Sequence, residues 1–219
     1  MSLADFSSCE ISDALIKLSV SHGGHIPDIR LVTHATRRIC GPAYTVKFVL
    51  ASDTDAPKLA SHFVDTVTEG SVIIIDVPSE AKNAVWGGLM TAGALVRGAK
   101  GVIISGRCRD LAEHRAQDFP VFARSTSTIG QSPWTRPTAV NIPLTIAPEG
   151  PGADFFPAVT IQPGDLLVAD EDGVVCVPRD LESQVVELAT KGREVDERCM
   201  KDIQDGKGIQ ASFKLHRGK

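Results

Sequence analysis

No two cysteines in this sequence are spaced as C-x-x-C, and the five present (Cys9, Cys40, Cys108, Cys176 and Cys199) are odd in number and widely scattered. That excludes a disulfide framework and a structural zinc site, and predicts reduced thiols in a cytoplasmic protein. No apolar run approaches the ~18 residues of a membrane span, so no membrane partner is expected. The opening MSLADFSSCE lacks the basic-then-apolar layout of a secretory signal. Concentrated positive charge is missing too. The net charge is -4, and the one basic cluster (Lys214, His216, Arg217 and Lys219) falls at the C-terminus, where a solvated tail is expected. Nucleic acid is therefore not an expected partner, because phosphate binding needs a concentrated basic surface. Neither G-x-G-x-x-G nor G-x-x-x-x-G-K-[ST] occurs, and no G-x-S-x-G marks a serine nucleophile. No lysine sits in a recognisably apolar setting for Schiff-base chemistry.

What remains is an ordinary globular composition, 42% hydrophobic and 23% charged over 219 residues. That is enough for one sizeable core and short for two. Residues 7–21 predict an amphipathic helix, with Ile11, Leu15 and Leu18 at helical spacing, Ser7 or Ser8 as cap, and Gly23-Gly24 as stop. A half-buried strand is expected over 44–50. A helix opened by Pro57 should run through Leu59, Phe63 and Val67. SVIIIDV at 71–77 carries an unbroken apolar run and predicts a central strand buried on both faces. Residues 88–97 predict a helix rich in small residues, suited to close packing on a sheet or another subunit. Val102, Ile103 and Ile104 then predict a strand ended by Ser105-Gly106, followed by a helix over 111–117 and a second extended run from Phe119-Pro120.

Beyond Arg124 the prolines Pro133, Pro137, Pro143, Pro148, Pro151, Pro157 and Pro163 break up any long helix. Short strands are expected over 140–146, 159–161, 165–169 and 173–177. The last two form a hairpin around the acidic turn Asp170-Glu171-Asp172-Gly173. A long helix from 180 to about 205 carries Val185, Leu188, Val195 and Ile203, and the tail 206–219 follows it. With no linker or internal repeat, the chain reads as one α/β domain over 1–219.

Two places can carry chemistry. At the predicted strand-to-helix turn, Arg109 and Asp110 set a fixed cation beside a carboxylate, where an open α/β sheet presents ligand-binding groups. Arg can clamp a carboxylate or keto oxygen through its fork of donors, and Asp suits Mg²⁺ or Mn²⁺. The other reading is a helix cap, with Asp at the positive end of the dipole. The second place is Trp86-Gly87-Gly88-Leu89-Met90, where glycines at a helix start let backbone N–H groups approach an anion. Gly-Gly there also reads simply as a turn.

Other candidates have plainer explanations. Cys108 next to Arg109 reads as a small filler or a favoured thiolate. His22 and His25 read as loop residues or metal ligands. His114 falls one turn after Asp110 on the same helix face. Asp76 ends its strand as a turn cap or a cleft residue. Asp170, Glu171 and Asp172 lack calcium-loop spacing.

The stretches WGGLMTAGALVRGAKGVIISGRCRDLAEHRAQDFPVFAR and GDLLVADEDGVVCVP together resemble the RraA-like family. This group holds the class II 4-hydroxy-4-methyl-2-oxoglutarate/4-carboxy-4-hydroxy-2-oxoadipate aldolases and the regulator of ribonuclease E activity. The resemblance spans about residues 9–205. Its specific parts are G-x-x-x-S-G-x-x-R-D with the following F-P-V-F-A, and the D-E-D-G-V hairpin. It implies a swivelling α/β/β/α sandwich with a mixed central sheet, assembled as a homotrimer or hexamer with active sites between subunits. It further implies that Arg109 binds the pyruvyl portion of a small 2-oxo acid and that Asp110 holds Mg²⁺ or Mn²⁺. Backbone amides of Gly87, Gly88, Leu89 and Met90 would take the carboxylate. The aldolase loop commonly carries an acid where this chain has Gly88, and that acid helps hold water on the metal. A further acid comes from a neighbour's C-terminal helix, where Asp196 or Glu197 falls nearest.

The implied function is a metal-dependent lyase, aldolase or oxaloacetate decarboxylase, passing through a pyruvate enolate. A metal and an Arg on the enolate oxygen suit that chemistry. The rival is a non-catalytic binding protein like the family members that inhibit ribonuclease E by contact. Those members typically lack the Asp after the Arg, so Asp110 favours the enzyme. A methyltransferase using S-adenosylmethionine is disfavoured, since no glycine-rich nucleotide loop with a following acidic ribose ligand is present.

Overall fold

Alternation along the strands sorts the apolar residues into three cores, and the layering follows from that sorting. The computed structural model describes residues 1–33, 38–150 and 152–218; Pro151 and Lys219 of the sequence reading lie outside them. The main sheet contains β1 (Arg30–Leu31), β2 (Ile39–Leu50), β3 (Val72–Asp76), β4 (Ala84–Trp86), β5 (Gly101–Cys108), β6 (Val121–Thr126) and β7 (Thr135–Val140). β8 (Leu144–Ile146) and β9 (Val159–Ile161) pair separately, and β10 (Leu166–Asp170) and β11 (Gly173–Val177) complete the main sheet. Its order is β1-β6-β5-β3-β2-β10-β11, with β4 added to β5 and β7 to β2. The β2, β3, β5 and β6 neighbours run parallel, while β10 and β11 run antiparallel. A bridge from His25 to Val175 links the β11 edge to the segment before β1, so the mixed sheet is nearly closed.

β3 shows the sorting most simply. Val72 and Ile74 face the interior with Leu167 and Ala169 of β10. Ile73 and Ile75 face outward with Tyr44, Trp86 and Ala94. Burial on both faces is what the unbroken apolar run requires. Leu166 and Val168, on the other face of β10, pack with Ile11 and Leu15 of α1 (Ser8–Lys17) and Val185 of α4 (Glu182–Gln204). Hence α2 (Gly88–Val96) and α3 (Leu111–Ala116) cover one side, and α1 and α4 the other. This is the expected α/β/β/α arrangement.

Several local expectations differ. Residues 57–67 contain only a 3₁₀ turn, Phe63–Thr66. The carbonyls that a helix would use are taken by β7: Arg136 donates to Asp53 O and Ala56 O (both 2.6 Å) and to Pro57 O (2.7 Å), and Thr138 Oγ1 donates to Pro57 O (2.8 Å). The strand expected over 140–146 is broken at Asn141, whose φ of 53° turns the chain from β7 into β8. Ser105-Gly106 does not end β5, because β4 and β6 extend the ladder to Cys108. The tail contains α5 (Ile209–Arg217), whose His216 and Arg217 reach back to Asp202 and Asp196 of α4.

The N- and C-terminal helices are joined by Arg193, which donates from Nε to Glu10 Oε1 (2.6 Å) and lies 4.4 Å above the Phe6 ring. Arg193, reinforced by the Ser7 N–H and hydroxyl, holds the Glu10 carboxyl down from 4.5 to about 2. A folded-state pKa below the unfolded one stabilises the fold above about pH 4.5, and that contribution is lost as the pH falls toward 2. Glu10→Gln is therefore expected to cost about 1–2 kcal/mol near neutral pH, the scale of a partly exposed charge-assisted pair. Denaturant titrations of variant and wild type should converge as the pH is lowered through this window.

Candidate active site

β4 and β5 run side by side and end together, with Trp86 opposite Cys108, so the two motifs of the sequence meet at one sheet edge. Arg109 N donates to Trp86 O at 2.9 Å, locking the turn. Asp110 then adopts φ 62°, ψ 42°, a left-handed conformation that Asp tolerates better than most residues but still at a cost. It occupies the N-cap position of α3, yet its side chain makes no capping bond. Instead Oδ2 accepts from Gly88 N at 3.1 Å and lies 3.5 Å from Arg109 Nε. The carboxylate therefore makes no capping bond on α3 itself and reaches across to Gly88 at the start of α2.

The glycines are set by this approach. A Cβ on Gly87 would collide with Asp110 Oδ2, and one on Gly88 would overlap the Glu113 carboxylate. Of the four loop amides, Gly88 N is committed to Asp110 and Met90 N to Gly87 O (3.0 Å). Leu89 N makes no hydrogen bond among the described residues, and its side chain is exposed. Behind the loop, Thr91 Oγ1 meets Trp86 Nε1 and His114 Nδ1, each at 2.9 Å. This buried link ties β4, α2 and α3 together. Burial pushes the His114 pKa down, which makes the ring a neutral scaffold element.

Arg109 and Asp110 line an open cleft of about 730 Å³ that also contains Lys82 and Arg107. Three cations against one carboxylate suit an anionic ligand. Sequence reasoning missed Lys82, which carries no local signal. Arg107 had one: two residues before Arg109 on an extended strand, it falls on the same face. Gly130 was also missed; a Cβ there would lie 2.9 Å from Arg109 Nη1, so the loop closely walls the guanidinium.

A second cleft, about 640 Å³, lies along the same strand ends and holds Lys47, Asp76 and Ser105. Its Lys47, Asp76 and Glu149 are already paired. Lys47 pairs with Asp76, and neighbouring Arg124 donates to Ser105 Oγ (3.2 Å), Asp28 (3.2 Å) and the Ala147 carbonyl (2.5 Å). Asp76 thus faces a cleft, but in an ion pair.

The remaining candidates separate clearly. Asp196 and Glu197 lie exposed on α4, across the molecule from α2 and α3, and Asp196 pairs with Arg217. Within one chain they do not join Arg109 and Asp110. Cys108 is fully buried and its thiol is pushed up to about 11, so it is a filler and no thiolate. His22 accepts from Gly24 N through Nδ1 (3.0 Å), while the His25 ring packs on Phe156. Asp170 accepts from the N–H (2.8 Å) and hydroxyl (2.6 Å) of Ser8 and anchors α1. No group of three His, Cys, Asp or Glu side chains placed to hold a metal occurs among the described residues. The carboxylate of Asp110 is a hard donor that suits Mg²⁺ or Mn²⁺, and Mg²⁺ keeps several of its waters in such sparse sites. No described helix is long and apolar enough to cross a membrane.

Comparisons with known proteins give the family and the fold. The family described as RraA-like, aldolase/RraA, matches residues 8–176. A Halalkalibacterium halodurans protein named "Putative 4-hydroxy-4-methyl-2-oxoglutarate aldolase" is 32% identical over 168 residues, 77% of this chain and 73% of that protein. Protein DlpA of Legionella pneumophila is 30% identical over 95% of this chain, which spans only 32% of DlpA's length. Among solved structures, an uncharacterized Pseudomonas syringae protein superposes with a TM-score of 0.82 at 31% identity, covering 97% of this chain and 91% of its own. Streptomyces coelicolor RraAS2, described as an unusual member of the RNase ES inhibitor RraA family, shares the fold, with a TM-score of 0.75 at 23% identity over 89% of this chain and 92% of its own. With its family match covering most of the chain and the Gly-Gly and Arg-Asp motifs meeting at one sheet edge, the chain belongs to the RraA-like family.

Proposed function

We propose that this protein is a divalent-metal-dependent lyase acting on small 2-oxo acids through a pyruvate enolate, as a 4-hydroxy-4-methyl-2-oxoglutarate-type aldolase or an oxaloacetate decarboxylase. The observation that carries this reading is the left-handed turn at Asp110. It spends backbone strain to hold an uncapped carboxylate beside Arg109 and the start of α2. Mg²⁺ or Mn²⁺ on Asp110 supplies an electron sink for the substrate keto group when bound. Arg109 binds the pyruvyl oxygens through its planar fork, and its charge favours the enolate over the ketone. The free N–H of Leu89, at the positive end of α2, receives the carboxylate. Lys82 and Arg107 add the positive charge that a second substrate carboxylate needs. Water protonates the enolate. The aldol and decarboxylation reactions share this site because either bond cleavage leaves the same enolate.

The working form in this reading is a homotrimer or a hexamer in the cytoplasm, in which Asp196 or Glu197 of α4 reaches a neighbour's cleft. Exposed Leu89 and Val96 on α2 and the free cysteines support it. The test is pyruvate release from oxaloacetate and from 4-hydroxy-4-methyl-2-oxoglutarate. Chelation is expected to abolish turnover, and Mg²⁺ or Mn²⁺ to restore it. Undiminished turnover in excess chelator would sink the reading.

A further inference from the structure

Buried polar atoms in a fold are almost always paired, and His114 departs from that rule at one ring nitrogen. It is the buried residue of α3, fully enclosed where that helix packs against α2. The hydrogen bonds around it fix where its proton sits. Trp86 Nε1 can only donate, so Thr91 Oγ1 accepts from it at 2.9 Å. The Thr91 hydroxyl proton then has a single acceptor among the described residues, His114 Nδ1, also at 2.9 Å. A ring that accepts at Nδ1 and is kept neutral by burial carries its proton on Nε2. That N–H is buried and has no hydrogen-bond partner among the described residues. The Arg109 carbonyl receives no hydrogen bond among them either. Against the larger effect of burial, this carbonyl acts on the ring as an acceptor that favours a proton there. With Nδ1 taken by Thr91, Nε2 is the nitrogen left to meet it.

We propose that His114 is a positioning residue for the turn that presents Arg109: its Nε2–H, aimed by Thr91, donates to the Arg109 carbonyl and fixes the left-handed step into Asp110. The inference rests on the lyase reading above for what the turn does, and on geometry alone for what holds it. Such a turn needs support. A residue at φ 62° persists only where its surroundings over-determine it, and side chains that converge on one ligand work only when their backbone is held closely. Arg109 N on Trp86 O holds the turn from β4, and Gly88 N on Asp110 Oδ2 holds it from α2. His114 adds the hold from α3, and the relay Trp86–Thr91–His114 joins all three elements. Hydrogen bonds at ligand sites are commonly long until a ligand draws the site together, which accords with the open spacing between Nε2 and the carbonyl.

Nitrogen–proton correlation spectra of the imidazoles in the intact protein read the tautomer, and should show His114 neutral with its proton on Nε2. A proton on Nδ1 would overturn the proposal. Amide hydrogen exchange then tests the hold on the turn. His114→Asn places an amide where Nδ1 lies and can keep Thr91, but falls short of Arg109. His114→Gln reaches the Nε2 position and keeps the donor. The Asn variant should speed exchange of the Arg109 and Gly88 amides about tenfold relative to the β3 amides, the scale of one lost hydrogen bond, and lower kcat for oxaloacetate by a similar factor. The Gln variant should keep both within about threefold of wild type. Thr91→Val repeats the test without touching the ring: it should mix the tautomers and loosen the same two amides, whereas Thr91→Ser should not. A role in packing alone predicts that Asn and Gln fall together, with the β3 amides exchanging faster as well, and that result would sink the idea. If wild type turns over no 2-oxo acid, the lyase reading falls, while the tautomer and the exchange rates still decide what holds the turn.

Discussion

Asp110→Asn is expected to lower Mg²⁺ or Mn²⁺ affinity and turnover together, by on the order of 100-fold or more, with high metal restoring part of the rate. The upper range measured for losing even an indirect partner of a metal site sets the lower bound. The variant is informative because it should leave the fold alone. Asn tolerates the left-handed region nearly as well as Asp, so the φ of 62° carries no new penalty. Its amide oxygen can still accept from Gly88 N, which Asp110 Oδ2 does at 3.1 Å. What disappears is the anionic charge, and with it the only strong attraction this turn offers a hard cation. Metal titration and initial rates on the same preparation check the expectation. Loss of turnover with unchanged metal affinity would assign Asp110 to another task.

Arg109→Lys is expected to lower turnover by about 100- to 1000-fold with metal affinity intact, and added metal should not rescue it. Lysine preserves the charge but not the planar fork that meets two substrate oxygens at once. The missing donor matters most as the keto oxygen gains charge, and losing such a donor costs about 2.7–4 kcal/mol. The setting is unforgiving, since Gly130 walls Nη1 and Gly87 approaches Nε at 3.4 Å from where its Cβ would lie. An ammonium has no second nitrogen to fill that slot. Initial-rate measurements over a range of oxaloacetate concentrations should show the loss in kcat. If both Arg109→Lys and Asp110→Asn decarboxylate oxaloacetate at the wild-type rate, the pair is only a strained turn and the lyase reading is wrong.

Elements defined by local chemistry were legible from residues alone. SVIIIDV is a central strand because Val72 to Ile75 form an unbroken apolar run, and Ser7 caps α1 through the reciprocal bonds with Glu10 that its spacing allows. The hairpin Leu166–Asp170 with Gly173–Val177 follows from two apolar runs around Asp-Gly. What local chemistry could not supply were segments whose backbone partners come from far away. Residues 57–62 form no helix: the Ala56 and Pro57 carbonyls that would open it are taken by Arg136 and Thr138, some 80 positions later. β4 exists as a three-residue strand only because β5 is there to pair with it.

The functional residues divide in the same way. By itself the sequence determined that Arg109, Asp110 and the two glycines stand at strand-to-helix turns, and its motifs, through their resemblance to the RraA-like family, named the chemistry to expect. Only the tertiary structure showed that the Asp110 carboxylate turns away from α3 and takes the Gly88 N–H at the start of α2. Only it brought Lys82 into the cleft beside Arg107, set α4 with Asp196 and Glu197 on the far layer, and laid Glu113 over Gly88. Each of these is a contact between separate elements, fixed by how the sheet twists and the helices pack on it, and no local pattern of residues encodes it.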